Sequence, residues 1–276
     1  MTDYTVPVYN GTATLQYTIP AESNGTKNYT VTYNQNNQYQ TKTAYGKITV
    51  GVYVDSNYTG TTENGTITNP YKDWKTAHDN MQNNQTMYIL PGTHHFDTQT
   101  LIPIKNITIK AYSDDYQTLT NIPQLETIID GGGESTALVP SRSITIQGLK
   151  FTNYNTPIYN GGVFSGNSTQ AMNITRCCFT GNTAVYGGAI NQNRTRGLLT
   201  INECYFKNNT ATNGCGAAIY ALSGTNITNS VFINNTGTNV IFSTVSNVTL
   251  DGNYFEGLSA VYGCTNTNPL MVNPFV

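Results

Sequence analysis

The apolar positions in the second half of the chain recur in one pattern, and each recurrence ends on a phenylalanine. The intervals are 28, 27, 26 and 23 residues, between Phe151, Phe179, Phe206, Phe232 and Phe255. Seven and five residues before each phenylalanine stand two mostly apolar residues with a polar one between them, which is the alternation of a β-strand. The next in-facing candidates are the residue two before the phenylalanine and the phenylalanine itself. The alternation therefore slips by one residue and predicts a corner between two short strands.

The residues after each phenylalanine predict a turn and a third strand. Asn182, Asn209 and Asn235 each follow their phenylalanine by three residues. A glycine-rich strand comes next, as "GGAI" at 187–190 and "GAAI" at 216–219. One such coil cannot bury its own inner face, whereas stacked coils can. We therefore expect an all-β parallel β-helix with regular repeats at about 143–260, with phenylalanines stacked inside and an asparagine ladder at the turn.

The repeat pattern gives the cysteines structural positions. Cys177 and Cys204 occupy the in-facing position that Leu149 has in an earlier coil, so we expect them to be small buried hydrophobic residues. Cys178, the next residue, is expected to point outward. A disulfide between Cys177 and Cys204 is disfavoured because stacked side chains run parallel instead of converging.

The less regular sequence before the repeats predicts earlier coils and a helix that caps them. The segments "TMYILPGTHHF", "LIPIKNITIKA" and "LETIIDGGG" have the character of coils. A helix is predicted at about 70–81, with Asn69 as its N-cap and Pro70 at the first helical position. It would cover the open end of the stack, where an exposed coil invites edge-to-edge aggregation. Its buried face would comprise Trp74, Ala77, His78 and Met81.

Residues 1–50 have a different pattern, with clean alternation and polar turns between the alternating segments. Antiparallel strands of a β-sandwich alternate in this way. The three or four strands expected here are too few for a complete immunoglobulin-like sandwich. We therefore divide the chain into the C-terminal part of an immunoglobulin-like domain at 1–50 and a β-helix at 51–276, and expect the chain to be a fragment of a longer secreted one.

Three stretches resemble known families. The pattern F-x-x-N…GGAI at 179–190, repeated with one alanine at 206–219, resembles the repeats of adhesin-like surface proteins of methanogenic archaea and is similar to those of chlamydial polymorphic outer membrane proteins. The stretch "VYVDSNYTG…NPYKDWKTA…MYILPGTH", at 52–94, looks like the first part of right-handed parallel β-helix proteins, including some polysaccharide lyases. Residues 2–50 are similar to the C-terminal half of bacterial immunoglobulin-like domains. The resemblance implies a right-handed parallel β-helix outside the cell or on its surface.

Composition excludes several classes of function. Only 10% of the residues are charged and the formal net charge is −2, so no basic field exists to hold nucleic acid or an anionic membrane surface. No run of 18 apolar residues occurs, so we expect no membrane span. His94 and His95 would face opposite ways on a strand, and no Cys-x-x-Cys or His-x-x-x-His spacing is present, so we expect no metal. Phosphate-loop and dinucleotide motifs are also absent, so we expect no cofactor.

The chain contains 36 asparagines and 45 threonines, and this composition produces many Asn-x-Ser/Thr sequons. Sequons of a secreted protein are candidate sites of N-glycosylation. We therefore expect a glycosylated exterior. The candidates from residue 106 onward are Asn106, Asn167, Asn173, Asn193, Asn208, Asn226, Asn234 and Asn247.

The charged residues leave open one alternative, a polysaccharide lyase or hydrolase on the same fold. Such enzymes need carboxylates and Arg or Lys concentrated on one face. Asp130 in "IIDGGG" suits a turn that bonds its own backbone, and Arg176 and Glu203 would form a surface ion pair between adjacent coils. An enzyme would require several candidates to converge in one groove. These are Asp114, Asp115, Asp130, Arg142, Arg176 and Glu203.

Tyrosines along the repeats would stack on sugar rings if they pointed outward in a row. Tyrosine is also a common strand residue, and this interpretation is favoured, so no ligand-binding residue is assigned. The tyrosines are Tyr154, Tyr159, Tyr186, Tyr205, Tyr220, Tyr254 and Tyr262. The sequence as a whole predicts a non-catalytic, adhesin-like surface protein that binds glycans or proteins of other cells, with an enzyme or a spacer without ligand as alternatives.

Overall fold

The computed structural model describes residues 4–9, 12–15, 25–33, 40–96, 100–113, 125–133, 136–156, 158–166, 170–193, 197–243, 248–257, 261–262 and 267–268. These residues form 26 β-strands and one short α-helix. Apart from one hairpin and one isolated antiparallel bridge, the described strands pair in parallel. The all-β class predicted from the alternation is confirmed.

The parallel strands form three long sheets and one short sheet, and successive strands of each sheet come from successive coils. Sheet A has nine strands, β3 (Val52–Val54), β4 (Gln85–Ile89), β6 (Ile107–Ala111), β8 (Ile144–Gln147), β12 (Met172–Thr175), β16 (Leu198–Asn202), β20 (Gly224–Thr228), β23 (Val248–Asp251) and β26 (Thr267–Asn268). Sheet B has seven, β5 (Gly92–His94), β7 (Thr127–Asp130), β9 (Lys150–Thr152), β13 (Cys178–Thr180), β17 (Tyr205–Lys207), β21 (Val231–Ile233) and β24 (Tyr254–Glu256). Sheet C has five, β11 (Phe164–Gly166), β15 (Ile190–Gln192), β19 (Ile219–Ala221), β22 (Ile241–Ser243) and β25 (Val261–Tyr262), and the short sheet D has three, β10 (Asn155–Thr156), β14 (Thr183–Ala184) and β18 (Thr210–Ala211). This is the topology of a parallel β-helix.

The interior of the coils is filled by columns, each made of one position repeated from coil to coil. The longest aromatic column has neighbouring ring centroids 4.8 to 5.5 Å apart and ring planes within 11° of parallel, and it consists of Phe151, Phe179, Phe206, Phe232 and Phe255. The first four rings are fully buried and the fifth is partly buried. Each full burial contributes roughly 1.5–3 kcal/mol to folding.

From β9 to β24, each corner flanking sheet B is made by a residue in the left-handed backbone conformation. The corner three residues before the phenylalanine has φ between 49° and 73°, at Gly148, Arg176, Glu203, Asn229 and Gly252. The corner two residues after it has φ between 51° and 97°, at Asn153, Gly181, Asn208, Asn234 and Gly257. Glycine and asparagine enter this conformation at the least cost, which explains why they recur in both columns. The turn of the backbone here is the physical cause of the one-residue slip in the alternation.

The asparagines after the second corner form a buried ladder of side-chain amides. The Nδ2 of Asn182 donates to the Oδ1 of Asn209 at 2.9 Å, and the Nδ2 of Asn209 donates to the Oδ1 of Asn235 at 2.9 Å. Each acceptor oxygen also accepts the backbone N–H of the asparagine in the preceding coil, at 3.1 and 3.0 Å. The Nδ2 of Asn209 donates further to the carbonyl of Phe179 at 2.9 Å. The ladder thus pairs buried backbone groups that the turn would otherwise leave without partners.

The helix begins later than predicted. Helix α1 spans Trp74–Asn80, and its N-cap is Asp73, whose carboxylate accepts from the N–H of Thr76 at 2.7 Å. The assignment of Asn69 as N-cap is wrong because Tyr71 still pairs with β3 as an extended bridge residue. The buried face is the predicted one and comprises Trp74, Ala77, His78 and Met81.

Both ends of α1 are tied to the first coils. The Nζ of Lys105 donates to the carbonyls of His78 and Met81 at 2.7 Å each, which places a cation at the negative end of the helix dipole. The ring of Trp74 stacks on Phe96 with centroids 4.6 Å apart. These contacts hold α1 against the first coils of the β-helix.

Strands β1 (Gly25–Tyr33) and β2 (Lys42–Val50) pair as an antiparallel hairpin. Tyr9 and Thr12 form a further antiparallel bridge. Antiparallel pairing is what the alternation in this part of the chain predicts. The assignment of residues 1–50 to an immunoglobulin-like domain stays a prediction.

Replacing Asn209 by alanine is expected to destabilise the protein by about 2–4 kcal/mol, because buried partners in two coils lose their hydrogen bonds. Urea unfolding followed by circular dichroism measures this loss. Asn208→Gly is the matched control, since Asn208 is exposed and glycine fits its φ of 55°. The control is expected to change stability by no more than about 0.5 kcal/mol. An Asn209→Ala protein as stable as its parent would contradict a structural role for the ladder.

Candidate functional site

The first corner of the regular coils carries a second ladder, in which a cysteine acts as a hydrogen-bond acceptor. The N–H of Cys177 donates to the Sγ of Cys204 at 3.5 Å, and the N–H of Cys204 donates to the Oγ of Ser230 at 3.1 Å. The N–H of Ser230 in turn donates to the Oδ1 of Asn253 at 2.8 Å. All four residues are buried. This position therefore holds side chains that accept a hydrogen bond as well as apolar ones. Ser230 and Asn253 at this position were the sign of that role in the sequence.

The two neighbouring cysteines lie on opposite sides of the coil wall. Cys177 belongs to the main core, whereas Cys178 packs in a smaller outer cluster with Leu125, Tyr205 and Val231. Cys178 therefore faces away from the core without reaching solvent, and it is only 2% exposed. The four described cysteines carry free thiols. Burial raises the pKa values of the Cys178 and Cys204 thiols, with a further contribution from neighbouring Cys177.

The described charged candidates are each engaged locally. The Nε of Arg176 lies 2.8 Å from the Oε2 of Glu203, in an ion pair that joins adjacent coils with about a third of each side chain exposed. Asp130 accepts from the N–H of Gly132 at 2.8 Å, which is the self-bonded turn that its sequence suits. Arg142 donates to the carbonyl of the residue before it at 3.0 Å.

The strand register separates these candidates. Asp130 pairs with Thr152, which pairs with Thr180, and Thr180 lies four residues beyond Arg176. Asp130 and Arg176 therefore lie at opposite ends of the sheet B strands and two coils apart. Arg142 lies just before β8, at the N-terminal ends of the sheet A strands. Arg176 lies just after β12, at their C-terminal ends. Of the described candidates the structure brings together Arg176 and Glu203, and Asp114 and Asp115 lie outside the described residues.

His94 is buried and bonded on both ring nitrogens. Its Nδ1 accepts from the N–H of Ser56 at 3.2 Å, and its Nε2 donates to the carbonyl of Leu90 at 2.7 Å. Asp55 also approaches Nδ1, at 3.8 Å. Ser56, His94 and Asp55 thus have the composition of a catalytic triad without its geometry, because serine and aspartate approach the same nitrogen and the other nitrogen is held by the backbone.

His78 is likewise part of the fold. Its Nε2 accepts from the N–H of Ile104 at 3.3 Å, and its Nδ1 lies 3.5 Å from a carboxylate oxygen of Asp79. Burial lowers the pKa values of His78 and His94, and the neighbouring aspartates oppose this with a smaller effect. Both imidazoles are therefore neutral hydrogen-bonding groups in the folded chain. His95 is exposed, as expected for the neighbour of a buried residue on a strand.

Aromatic side chains on the outer faces stack on one another across the coils. Tyr220 and Phe242 stack on sheet C with centroids 4.9 Å apart, and the ring of Tyr186, in the bend before β15, is tilted by 43° to Tyr220 at 5.3 Å. Tyr53 and Tyr88 stack at 5.4 Å on sheet A, and the sequence analysis missed this pair although "VYV" and "MYI" place tyrosine at the same strand position. Rings stacked in this way cover each other's faces, which are the surfaces a sugar would need.

The remaining tyrosine candidates have no common environment. Tyr154 and Tyr205 are buried, Tyr159 is exposed, and Tyr254 is partly buried against the outer cluster. The side chain of Tyr262 lies outside the described residues. The repeats therefore do not present these tyrosines as one row.

The candidate glycosylation sites differ in exposure. Asn106 and Asn226 are partly buried, and the Oδ1 of Asn106 accepts from the N–H of Ser143 at 3.1 Å. Asn167 and Asn247 lie outside the described residues. The exposed candidates are Asn173, Asn193, Asn208 and Asn234. These four are the most accessible to a glycosyltransferase among the candidates that the structure describes.

Among the described residues, no three His, Cys, Asp or Glu side chains are grouped as metal ligands would be. The described helix is too short to cross a membrane.

Two stretches of the regular coils match a known repeat. Residues 176–192 and 203–222 match the Chlamydia polymorphic membrane protein (Chlamydia_PMP) repeat. Both stretches run from the first corner through the asparagine ladder to the glycine-rich strand of sheet C. No curated protein and no solved structure matches the chain. The match and the parallel sheets support a β-helix repeat protein similar to a surface-protein repeat family.

In the folded protein, alkylation is expected to modify Cys215, which is partly exposed, and to spare Cys177, Cys178 and Cys204. The thiolate is the reactive form, and burial both shields these thiols and raises the pKa values of Cys178 and Cys204. Peptide mass spectrometry after maleimide treatment with and without urea identifies the modified sites. Labelling of Cys204 in the folded chain at the rate of Cys215 would contradict the buried ladder.

The folded protein is expected to lose stability as the pH falls through about 6.5, the ordinary histidine pKa. Burial lowers the pKa values of His78 and His94 in the folded state, so below that pH the unfolded state binds more protons. Their contribution is present above the unfolded pKa and is lost as the pH drops towards the folded values.

Urea midpoints at pH 7.5 and pH 5 measure this fall in stability. His94→Gln is expected to reduce it, because glutamine can hydrogen-bond in both directions without acquiring a charge. His95→Gln is the control and is expected to change it much less, since His95 is exposed and is the smallest of the influences on the His94 pKa. Equal falls in all three proteins would exclude a role for His94.

Proposed function

We propose that this chain is a non-catalytic, adhesin-like protein of the cell exterior, whose rigid β-helix presents outer surfaces to glycans or proteins of other cells. The observation that carries the proposal is that the described groups suited to catalysis serve the fold. His78 and His94 are buried hydrogen-bonding groups, and Asp130 closes its own turn. The cysteine thiols at the first corner are buried in a ladder and an outer cluster.

The repeat match supports the location. Residues 176–192 and 203–222 are similar to repeats of a membrane-protein family of the bacterial surface. A β-helix suits a protein that reaches outward, because each added coil lengthens the stack without changing its cross-section. The abundant sequons fit a glycosylated exterior. An archaeal source and an immunoglobulin-like segment at 1–50 belong to the same proposal and rest on family resemblance.

The experiment incubates the protein with labelled neutral and acidic polysaccharides and separates the products by size-exclusion chromatography. The expected result is a shift of at least one polysaccharide to larger apparent size, which indicates a stable complex. A shift to smaller fragments would mean cleavage and would replace the proposal with a lyase or hydrolase. If no polysaccharide shifts, and the protein also does not bind intact target cells, the remaining function is a structural spacer without ligand.

A further inference from the structure

The hairpin of β1 and β2 presents one face that differs from the rest of the molecule. In its register Lys27 lies opposite Ile48, Tyr29 opposite Gly46, and Tyr33 opposite Lys42. Directly opposed residues of an antiparallel pair share a face, and alternate residues of one strand share that face as well. We call this surface the Tyr29 face. It comprises Lys27, Tyr29, Val31, Tyr33, Lys42, Ala44, Gly46 and Ile48.

Tyr29 lies flat at the centre of this face. The outer half of its ring occupies the space that a Cβ at Gly46 would take. The ring therefore crosses over the opposite strand and rests on the glycine, leaving its other side open, and the side chain is 48% exposed. This orientation contrasts with that of Tyr53 and Tyr88 in the β-helix, whose rings stack on each other. An open, flat aromatic face is the surface on which the apolar side of a sugar ring packs.

Positive charge stands at both ends of the Tyr29 face. Lys27 and Lys42 are exposed, and neither makes a salt bridge with a described residue. Residues 25–50 contain three lysines and no aspartate or glutamate, although the whole chain has a net charge of −2. Lys42 is opposite Tyr33, and Tyr33 comes six residues after Lys27 on the same strand. The two lysines are therefore about 20 Å apart at ~3.4 Å per residue. The face is thus an extended strip with an aromatic centre and a cation near each end.

We propose that the Tyr29 face binds an extended polysaccharide that carries carboxylates, with a sugar ring on Tyr29 and carboxylate groups at Lys27 and Lys42. This inference rests on the proposed glycan-binding function and assigns it a site and a ligand class. Charge complementarity selects the carboxylated chain, because the strip holds two exposed lysines and no carboxylate of its own. The separation of the two lysines selects a chain of several sugars and not a single sugar. Exposed lysines make such binding dependent on salt.

The experiment measures binding of the full chain to polygalacturonate and to the same polymer with its carboxylates methyl-esterified, by isothermal titration at low and high salt. The parent protein is expected to bind the acidic polymer, to bind the ester at least tenfold more weakly, and to lose affinity as salt rises. The double variant Lys27→Met, Lys42→Met is expected to lose at least tenfold in affinity for the acidic polymer and most of its salt dependence. Lys72→Met, Lys75→Met removes the same charge near α1 and is expected to bind as the parent does.

The tyrosines of the hairpin provide a second matched pair. Tyr29→Leu is expected to weaken binding at least tenfold and Tyr29→Phe to retain it, because stacking needs the ring and not the hydroxyl. Tyr45 is more exposed, at 82%, but is opposite Thr30 and so belongs to the other face. Tyr45→Leu is therefore expected to bind normally. Circular dichroism of each variant checks that it folds.

The possible outcomes separate the site from the function. If the parent binds polygalacturonate but the Lys27, Lys42 and Tyr29 variants bind equally well, the site is wrong and glycan binding stands. If the ester binds as tightly as the acid, the proposed selectivity for carboxylates is wrong. If the parent binds neither polymer, the proposed ligand class is wrong, and the screen with other polysaccharides and cells decides whether the adhesin function stands. If the hairpin instead pairs two copies of the chain, sedimentation shows a dimer that Tyr29→Leu dissociates, and the glycan site is overturned.

Discussion

Hydrogen bonding between the backbones of adjacent coils is the interaction on which the rest of this structure depends. Parallel pairing sets one coil about 4.8 Å above the next, and the register places each residue over its equivalent, as Phe179 lies between Phe151 and Phe206. Every side chain inside the β-helix must therefore pack against the equivalent side chain of the next coil at that distance. Phenylalanine meets this condition by ring stacking, and asparagine meets it because its amide carries both a donor and an acceptor.

The corners beside sheet B add a second condition, because in the regular coils one residue at each of them takes a positive φ. Glycine and asparagine satisfy it cheaply, whereas Arg176 and Glu203 take φ values of 54° and 52° at a cost of about 1–2 kcal/mol each. Their mutual ion pair, at 2.8 Å, offsets part of that cost. The pair is therefore explained by the corner, and it needs no catalytic role to account for it.

These two conditions leave the outer faces and the hairpin as the parts of the molecule where residues can vary. Inside the coils, apolar columns and amide ladders restrict the choice of side chain, since each one lies between its equivalents in two neighbouring coils. On the outside, neighbouring tyrosines can still stack across coils, as Tyr53 and Tyr88 do. The hairpin obeys no such repeat, so Tyr29 can lie flat over a glycine. Recognition surfaces are therefore expected where the repeat does not dictate the neighbours.

The sequence by itself determined the coil, its strands and the Phe and Asn columns. Alternation and a repeat of 23 to 28 residues are patterns along the chain, and they can be recognised without knowledge of the fold. The tertiary structure decided the features that depend on another coil. Tyr71 delays the helix because it pairs with β3, and Cys204 is an acceptor because the N–H of Cys177 lies beside it. Cys178 is outward yet buried because an outer cluster covers it. Each of these depends on a contact between residues distant along the chain, and a period read from the sequence specifies which positions stack but not which groups then meet.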